Sequence, residues 1–429
     1  MSKRRQPQRL PPPIMHGAEA IDSEVVLTEF SGELGLLLWK SVRAVRLWAA
    51  TPPKDRGRLF EATAHERRAE RLADAGLPAE VRAPLERAAT VLQRRPRAAT
   101  VARACRDIGE WASARGELGT AIEFMQAAGM VLPENAELAH EVAKLARTRA
   151  DYGRAETWYR QAISRARRAA DWHEFARSYI GLGKVLVLRG SFPQARRSLT
   201  RGLRAAKRFS IRPLAAAAYH ELMVLSIQSE RSMDATRYAK CAVDAYGAGH
   251  QRLPALAFDY GAFLLNSGYP KQALTIFKGV PADFGRSADR LLREAAIVQA
   301  AGSAGDHETY ASAWAESERL LREPSTARAT ASALLAMAHG ADAVSDFVRA
   351  ERTASEALKL SADRGESLLE LAALSLMDAI TSHAAAAEQM AAEPPVPSES
   401  VIEFVGELEQ ALGRQSRYDH PAAQSITVG

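Results

Sequence analysis

Cys105-Arg-Asp-Ile-Gly-Glu-Trp-Ala-Ser-Ala-Arg-Gly116-Glu-Leu-Gly-Thr-Ala121, continuing through Met125 and Ala128 to Pro133, places small side chains at Gly109, Ala121 and Ala128 and larger apolar ones between them. Thirty-four residues on, Ala143, Ala155 and Ala162 fall at the same offsets, with Tyr152 and Tyr159 as bulky members. After 40 more residues the register returns as Gly183, Gly190, Phe192, Ala195, Leu199 and Gly202, and then more weakly as Leu222, Ala235 and Ala242. A fifth copy reads Gly261, Leu264, Gly268, Ala273, Phe277; a degenerate sixth has Gly305 before Tyr310 and Trp314; a seventh is Asp346-Phe-Val-Arg-Ala350-Glu-Arg-Thr-Ala354-Ser-Glu-Ala357-Leu. In the fourth and sixth copies the turn glycine is lost or the bulky residue shifts. A generic Ala-rich helical bundle would also have small residues at its interfaces, but it has no reason to repeat at this period.

This pattern resembles the tetratricopeptide repeat, a helix-turn-helix unit of about 34 residues. The resemblance covers roughly residues 100 to 360 and implies a right-handed all-α solenoid of about seven such units. Gly or Ala at the crossing of two helices permits close approach, while Tyr, Phe and Leu fill the space between units. The alanines 155, 195, 235 and 273 are separated by 40, 40 and 38 residues, longer than the consensus. The surplus lengthens helices by about one turn at roughly 3.6 residues per turn, or lengthens the links. Longer units of this kind are similar to those of bacterial sensor and regulator arrays.

Composition agrees with a helical chain. The 429 residues are 47% hydrophobic and only 7% aromatic, with Ala and Leu prominent, which argues against an all-β fold and against disorder of the whole. Two cysteines, Cys105 and Cys241, cannot form a disulfide framework, and the start of the chain lacks the apolar core of a secretory signal. The best apolar stretch, residues 25 to 50, is interrupted by Glu29, Glu33, Lys40, Arg43 and Arg46, so no membrane span is expected. These features point to a reduced, cytoplasmic protein.

Outside the array, residues 1 to 20 are Pro-rich and basic and read as a disordered tail. Residues 21 to 99 read as an N-terminal helical cap, with helices expected over 22 to 50, 55 to 75 and 78 to 94. At the other end, residues 361 to 413 read as C-terminal helices, one over 365 to 391 and one opened by Ser400-Val-Ile-Glu403 as a capping box. The stripe Ile402, Val405, Leu408 and Leu412 suits either a cap on the last repeat or a tethered helix that folds back on the array or docks on another subunit. Residues 414 to 429 read as a disordered tail.

The formal charge of +6 hides a gradient. Residues 143 to 208 hold 17 Lys or Arg and four acids, a net +13, whereas residues 281 to 413 hold 22 acids and 10 basic residues, a net −12. The arginines of 165 to 168 and 196 to 204 fall on second helices, whose outer faces are commonly solvated, and no interleaving of aromatic and basic residues or groove-reading motif accompanies them. A solvated basic face is therefore favoured over a nucleic-acid partner.

In arrays of the family it resembles, the first helix of each unit lines a concave surface that holds a partner segment. On that alignment the lining comprises Arg106, Glu110, His140, Lys144, Arg147, Arg177, Lys184 and His220, with Phe258 and Asn266 farther along. Five of the first eight are Lys or Arg, which suits an acidic or carboxylate-ended peptide; internal salt bridges with Glu110, Glu137 and Asp151 are the competing assignment. The family's carboxylate clamp for chaperone tails is not reproduced, because Arg106 with Glu110 and His140 with Lys144 stand where it needs Lys and Asn.

Motifs for chemistry fail on spacing. Each His-Glu pair, at His65, His173, His220 and His307, lacks a histidine four residues on, the positions being Ala69, Arg177, Val224 and Ala311. Gly181-Leu-Gly183-Lys184 lacks the further glycine of a phosphate loop at Ser178 and of a dinucleotide loop at Leu186. Gly-x-Ser-x-Gly is absent, and the two cysteines have no ligand partners at metal spacing. The expectation is a non-catalytic interaction scaffold with no metal or cofactor, binding another protein or peptide. The alternative is a sensor that changes conformation on binding a peptide or small ligand and so controls a partner such as a transcription factor; residues 22 to 94 show no helix-turn-helix signature.

Overall fold

The structure is a computed structural model that describes residues 23–282, 285, 287–364, 366–386 and 397–418. The expected tail over residues 1 to 20 lies outside them. The chain is all-α: no strand occurs among the described residues, and no helix is long and apolar enough to cross a membrane. Its contacts divide it, inside the expected 100 to 360 array, into two compact units that meet in sequence at Leu214 and Ala215.

The first unit opens with α1 (Val25–Glu29), α2 (Gly32–Ala50), α3 (Ala64–Asp74) and α4 (Ala79–Ala89). The single helix expected over 22 to 50 breaks at Phe30 and Ser31, where Gly32 takes a positive φ of 66°. Three helix pairs follow: α5 (Ala98–Ala114) with α6 (Leu118–Val131), α7 (Ala136–Thr148) with α8 (Tyr152–Ala169), and α9 (Trp172–Leu188) with α10 (Phe192–Arg208). The helix α11 (Arg212–Gln228) leads into the second unit, with α12 (Ser232–Tyr246), α13 (Leu253–Asn266), α14 (Pro270–Gly279), α15 (Ser287–Ala304), α16 (His307–Leu321), α17 (Thr330–Ala343), α18 (Phe347–Arg364), α19 (Ser367–Ala386) and α20 (Glu399–Tyr418).

The turn inside each pair is the same object each time. One residue adopts the left-handed conformation, at Gly116, Ala150, Gly190, Glu230, Gly268, Gly305 and Ser345. The residue after it donates its N–H to a carbonyl five residues back, from Glu117 to Ala112, Asp151 to Ala146, Ser191 to Leu186, Arg231 to Ser226, Tyr269 to Leu264, Asp306 to Ala301 and Asp346 to Ala341, at 2.8–3.1 Å. This is the Schellman closure that satisfies the last carbonyls of a helix. It persists where glycine is lost: the fourth copy, weak in sequence, keeps its turn by holding Glu230 at φ 55°. Asp151, Asp306 and Asp346 then cap the next helix, accepting from the N–H groups of Arg154, Thr309 and Arg349. The repeats are thus tetratricopeptide-like helix-turn-helix units.

Small residues act at helix crossings as the pattern predicts. A Cβ at Gly183 would sit 2.4 Å from the Leu199 side chain, which packs into the space the glycine leaves, and one at Gly340 would sit 2.6 Å from the Val298 carbonyl, so α15 and α17 approach to near backbone contact. Around these crossings Trp158, Tyr159, Phe124 and Leu199 fill the first unit, and Tyr260, Phe277, Tyr310 and Trp314 the second.

The N-terminal helices fasten to the first pair by polar contacts. Arg46, 2% exposed, pairs with Glu123 of α6 at 2.6 Å, and the Ser23 hydroxyl donates to the same carboxylate at 2.7 Å while accepting from Arg46. The Glu29 carboxylate accepts from the backbone N–H groups of Gly119 (2.8 Å) and Thr120 (2.6 Å), capping the start of α6. Phe30 stacks on Trp111 at 5.0 Å.

Two expectations at the C-terminal end change. The helix begins at Glu399, so Ser400 lies inside it and makes no capping box; its hydroxyl meets that of Ser398 at 3.1 Å. The helix also continues past 413 to Tyr418.

Candidate functional site

The first helices of the second and third pairs, α7 and α9, lie side by side and bring together half of the groove residues inferred from sequence. His140, Glu141, Lys144 and Arg147 stand on α7, and Glu174, Arg177, Ser178 and Lys184 on α9. Arg106 and Glu110 stand one pair earlier, on α5. Ion pairs stitch the row across helices. Arg106 reaches Glu110 at 2.9 Å and Glu137 at 3.0 Å, and Arg177 reaches Glu141 at 2.6 Å and Glu174 at 3.0 Å. Lys144 meets Glu141 at 3.2 Å and is itself exposed.

Arg106 therefore follows the internal salt-bridge assignment with Glu110 and Glu137, while Asp151 pairs with Arg154 instead. Sequence reading missed Glu141 and Glu174. Both share the lining face, and counting acids at the same helical offsets as the cations would have found them. The Glu110 carboxylate holds the Arg106 guanidinium above its usual range; for Arg177 burial acts downward, and Glu174 and Glu141 outweigh it.

His140 does not present to solvent. It is 5% exposed, its Nδ1 lies 3.0 Å from the Ser178 hydroxyl and its ring meets Tyr159 edge-on at 5.2 Å. Burial, with the Arg177 charge nearby, pushes the imidazole down to about 3, so it is neutral at physiological pH. Ser178, His140 and Glu174 look like the parts of a nucleophilic triad, but the geometry is not one. Ser178 and Glu174 (3.9 Å) approach the same ring nitrogen, whereas a triad needs the nucleophile on one nitrogen and the acid on the other. Ser178 is also 0% exposed, beyond reach of a substrate. Burial likewise pushes the Cys105 thiol up to about 12, which suppresses its thiolate.

Next to Arg106 the face opens into a cleft of about 600 Å³ lined by Arg87, Arg103, Thr100 and Asn135 together with Leu132 and Leu138. Arg87 is paired with Asp107 at 2.7 Å, and Arg103 is exposed. Charged donors beside apolar side chains can hold a carboxylate while burying the chain that carries it.

The remaining inferred residues fall in the second unit. His220 is buried and its Nε2 lies 2.8 Å from Asp259 of α13. Phe258 is half-buried and packs on Phe277 at 5.4 Å, while Asn266 is exposed at the last position of α13.

Folding also assembles an aromatic and basic cluster that linear reading did not show. Trp172 stacks on Phe209 at 4.8 Å and meets Phe175 edge-on, Phe175 meets Tyr179, Arg201 lies 6.0 Å from the Tyr179 ring, and Arg208 lies 5.7 Å from that of Phe209. Trp172, Phe175 and Tyr179 come from α9, and Phe209 with both cations from α10 and its C-cap, so folding brings the two groups together.

No family model matches the chain, and no curated protein matches it. Among solved structures it is similar to PilF of Pseudomonas aeruginosa, at 19% identity over 52% of this chain and 93% of that one, with a TM-score of 0.39. It is similar to the apo form of RapI at 14% identity, over 66% of this chain and 97% of that one, with a TM-score of 0.43. A Rap protein complexed with competence and sporulation factor is 12% identical over 85% of this chain and 99% of that one, with a TM-score of 0.37.

Proposed function

We propose that this protein is a non-catalytic interaction scaffold whose first unit holds an acidic segment of a partner protein along α5, α7 and α9. The observation that carries the reading is the cleft that Arg87, Arg103 and Arg106 line together with Leu132 and Leu138. A carboxylate-bearing side chain entering there meets guanidinium donors suited to bidentate pairing. Exposed pairs such as Arg106 with Glu110 hold their partners by about 0–1 kcal/mol, so a ligand carboxylate can replace the internal one at little cost. Lys144 and Arg147 extend the cationic row onto α7.

The test is a pull-down from the native cell with the whole chain as bait, followed by titration of the captured protein. Arg103→Glu with Lys144→Glu is expected to weaken binding at least tenfold at low salt and to flatten its salt dependence. Unchanged affinity and unchanged salt dependence would place the partner elsewhere. Small-angle scattering of the same complex separates a scaffold, which keeps its dimensions, from a regulator that changes them.

A further inference from the structure

In a linear array each repeat packs on its neighbours, and the last helix needs cover. The helix α19 buries Ala373, Leu376 and Ile380 on one side but leaves Leu368 85% and Leu371 65% exposed. The helix α20 leaves that face uncovered and packs on α14, α12 and α13, far back in the chain. Its Glu403 pairs with Lys240, 163 residues away, at 3.4 Å.

The contact is that of an amphipathic helix laid in a groove. Val401, Phe404, Val405, Leu408 and Leu412 are all buried, at the spacing i, i+3, i+4, i+7 and i+11, while Ile402 on another face is 53% exposed. Phe404 meets Tyr260 edge-on at 4.9 Å, and Tyr260 is tied to α12 through Thr236 at 3.1 Å. Leu412 rests over Gly279, where a Cβ would sit 3.3 Å from its methyl group. Residues 399 to 413 carry Glu399, Glu403, Glu407 and Glu409 and no Lys or Arg. The groove helix α14 carries no acid and two lysines, Lys271 and Lys278, the second paired with Asp306 at 3.3 Å. Lys240 adds a cation 5.8 Å from the Phe404 ring. Pro394, Pro395 and Pro397 lie between α19 and α20 in sequence.

We propose that α12, α13 and α14 form a docking groove for an acidic amphipathic helix of a partner protein, and that α20 is its resident occupant. The partner helix carries bulky apolar residues at the spacing of Val401, Phe404, Val405 and Leu408, with carboxylates beside them, and binds by displacing α20. Tethering by residues 387 to 398 gives the resident helix an effective concentration on the order of 1 mM. An incoming helix of equal intrinsic affinity, tighter than about 100 μM, is then weakened at least tenfold by competition. The groove uses none of the first-unit residues named above, so Arg103→Glu leaves it unchanged and the two readings fail separately.

The experiment uses a fluorescein-labelled peptide of residues 397–418 and follows anisotropy with the full chain and with the full-chain variant Phe404→Asp/Leu408→Asp, whose folding is checked by circular dichroism. The variant is expected to bind the peptide at least tenfold more tightly than the wild type, and adding Lys240→Glu to it is expected to reverse part of that gain. Equal binding by both proteins, or no binding by a folded variant, overturns the proposal. If the variant does not fold, a protease site placed between residues 388 and 396 and cut after folding serves instead. Exchange of the cut segment for labelled peptide supports the groove, and retention without exchange overturns it. A wild-type dimer in sedimentation that Phe404→Asp/Leu408→Asp abolishes would assign the groove to a second copy and overturn the partner reading.

Discussion

The N-terminal helices and the C-terminal helix both bury an apolar stripe, Val26, Leu38, Val42 and Val45 at one end and Phe404, Val405 and Leu408 at the other, and they differ in the polar contacts added to it. The first are fixed by a buried ion pair, Arg46 with Glu123, and by the Glu29 carboxylate on two backbone N–H groups of α6. The last is held by an apolar stripe and, at its edge, by the exposed pair Lys240 with Glu403. Buried charges are costly to separate once paired, whereas an apolar stripe can be exchanged for another of the same spacing. The contrast assigns one end to architecture and the other to exchange.

The largest effect is expected at the fixed end. Glu123→Ala leaves the Arg46 guanidinium buried without its counter-charge and should cost about 3–5 kcal/mol in chemical denaturation of the first unit. Replacing both partners together, Arg46→Met with Glu123→Leu, should recover most of that loss.

Acid should separate the two ends next. His140 is held at about 3 in the folded first unit, against about 6.5 in an unfolded chain. Its contribution is present above pH 6.5 and is lost as pH falls from there toward 3, because the unfolded state takes up the proton first. Between pH 6.5 and 5 the midpoint of the first unit should fall, and His140→Gln should flatten that slope. The helix α20 contains no histidine, and its docking should hold steady over the same range.

At the exchangeable end, Phe404→Ala removes a fully buried ring worth about 1.5–3 kcal/mol. The loss should appear as faster amide exchange confined to 399–418 rather than as unfolding of the second unit. Glu29→Gln weakens a charged helix cap by about 1 kcal/mol, readable as a shift in the first-unit midpoint. Smallest is Lys240→Ala, expected to loosen α20 by less than about 1 kcal/mol.

The helical repeats were legible because close crossings demand small residues at a fixed offset, as at Gly183 and Ala195. The fourth turn was obscured because Glu230 takes a left-handed conformation usually left to glycine; the hydrogen bond from Arg231 to Ser226 keeps the geometry when the composition changes. At the site, the cations and the Arg106 partners Glu110 and Glu137 were visible, but the partners of Arg177 were missed. Glu174 meets Arg177 from three residues back on the same helix and could have been counted, whereas Glu141 reaches it from α7, 36 residues back, and that distance hides the pair. In the sequence Arg46 is only a charge that interrupts the apolar stretch 25 to 50, and only the fold supplies Glu123 to bury it against. The stripe of α20 announced a buried face; which helices it would meet depends on contacts across 163 residues, as between Lys240 and Glu403.

Native-state hydrogen exchange on the full chain measures the difference between the ends directly. Amides of 32–50 are expected to exchange with the core of their own unit, represented by 119–131. Those of 399–418 are expected to exchange faster than 253–277, through an opening that leaves the second unit folded. Protection of 399–418 equal to that of 253–277, or opening of 32–50 independent of 119–131, would contradict the account.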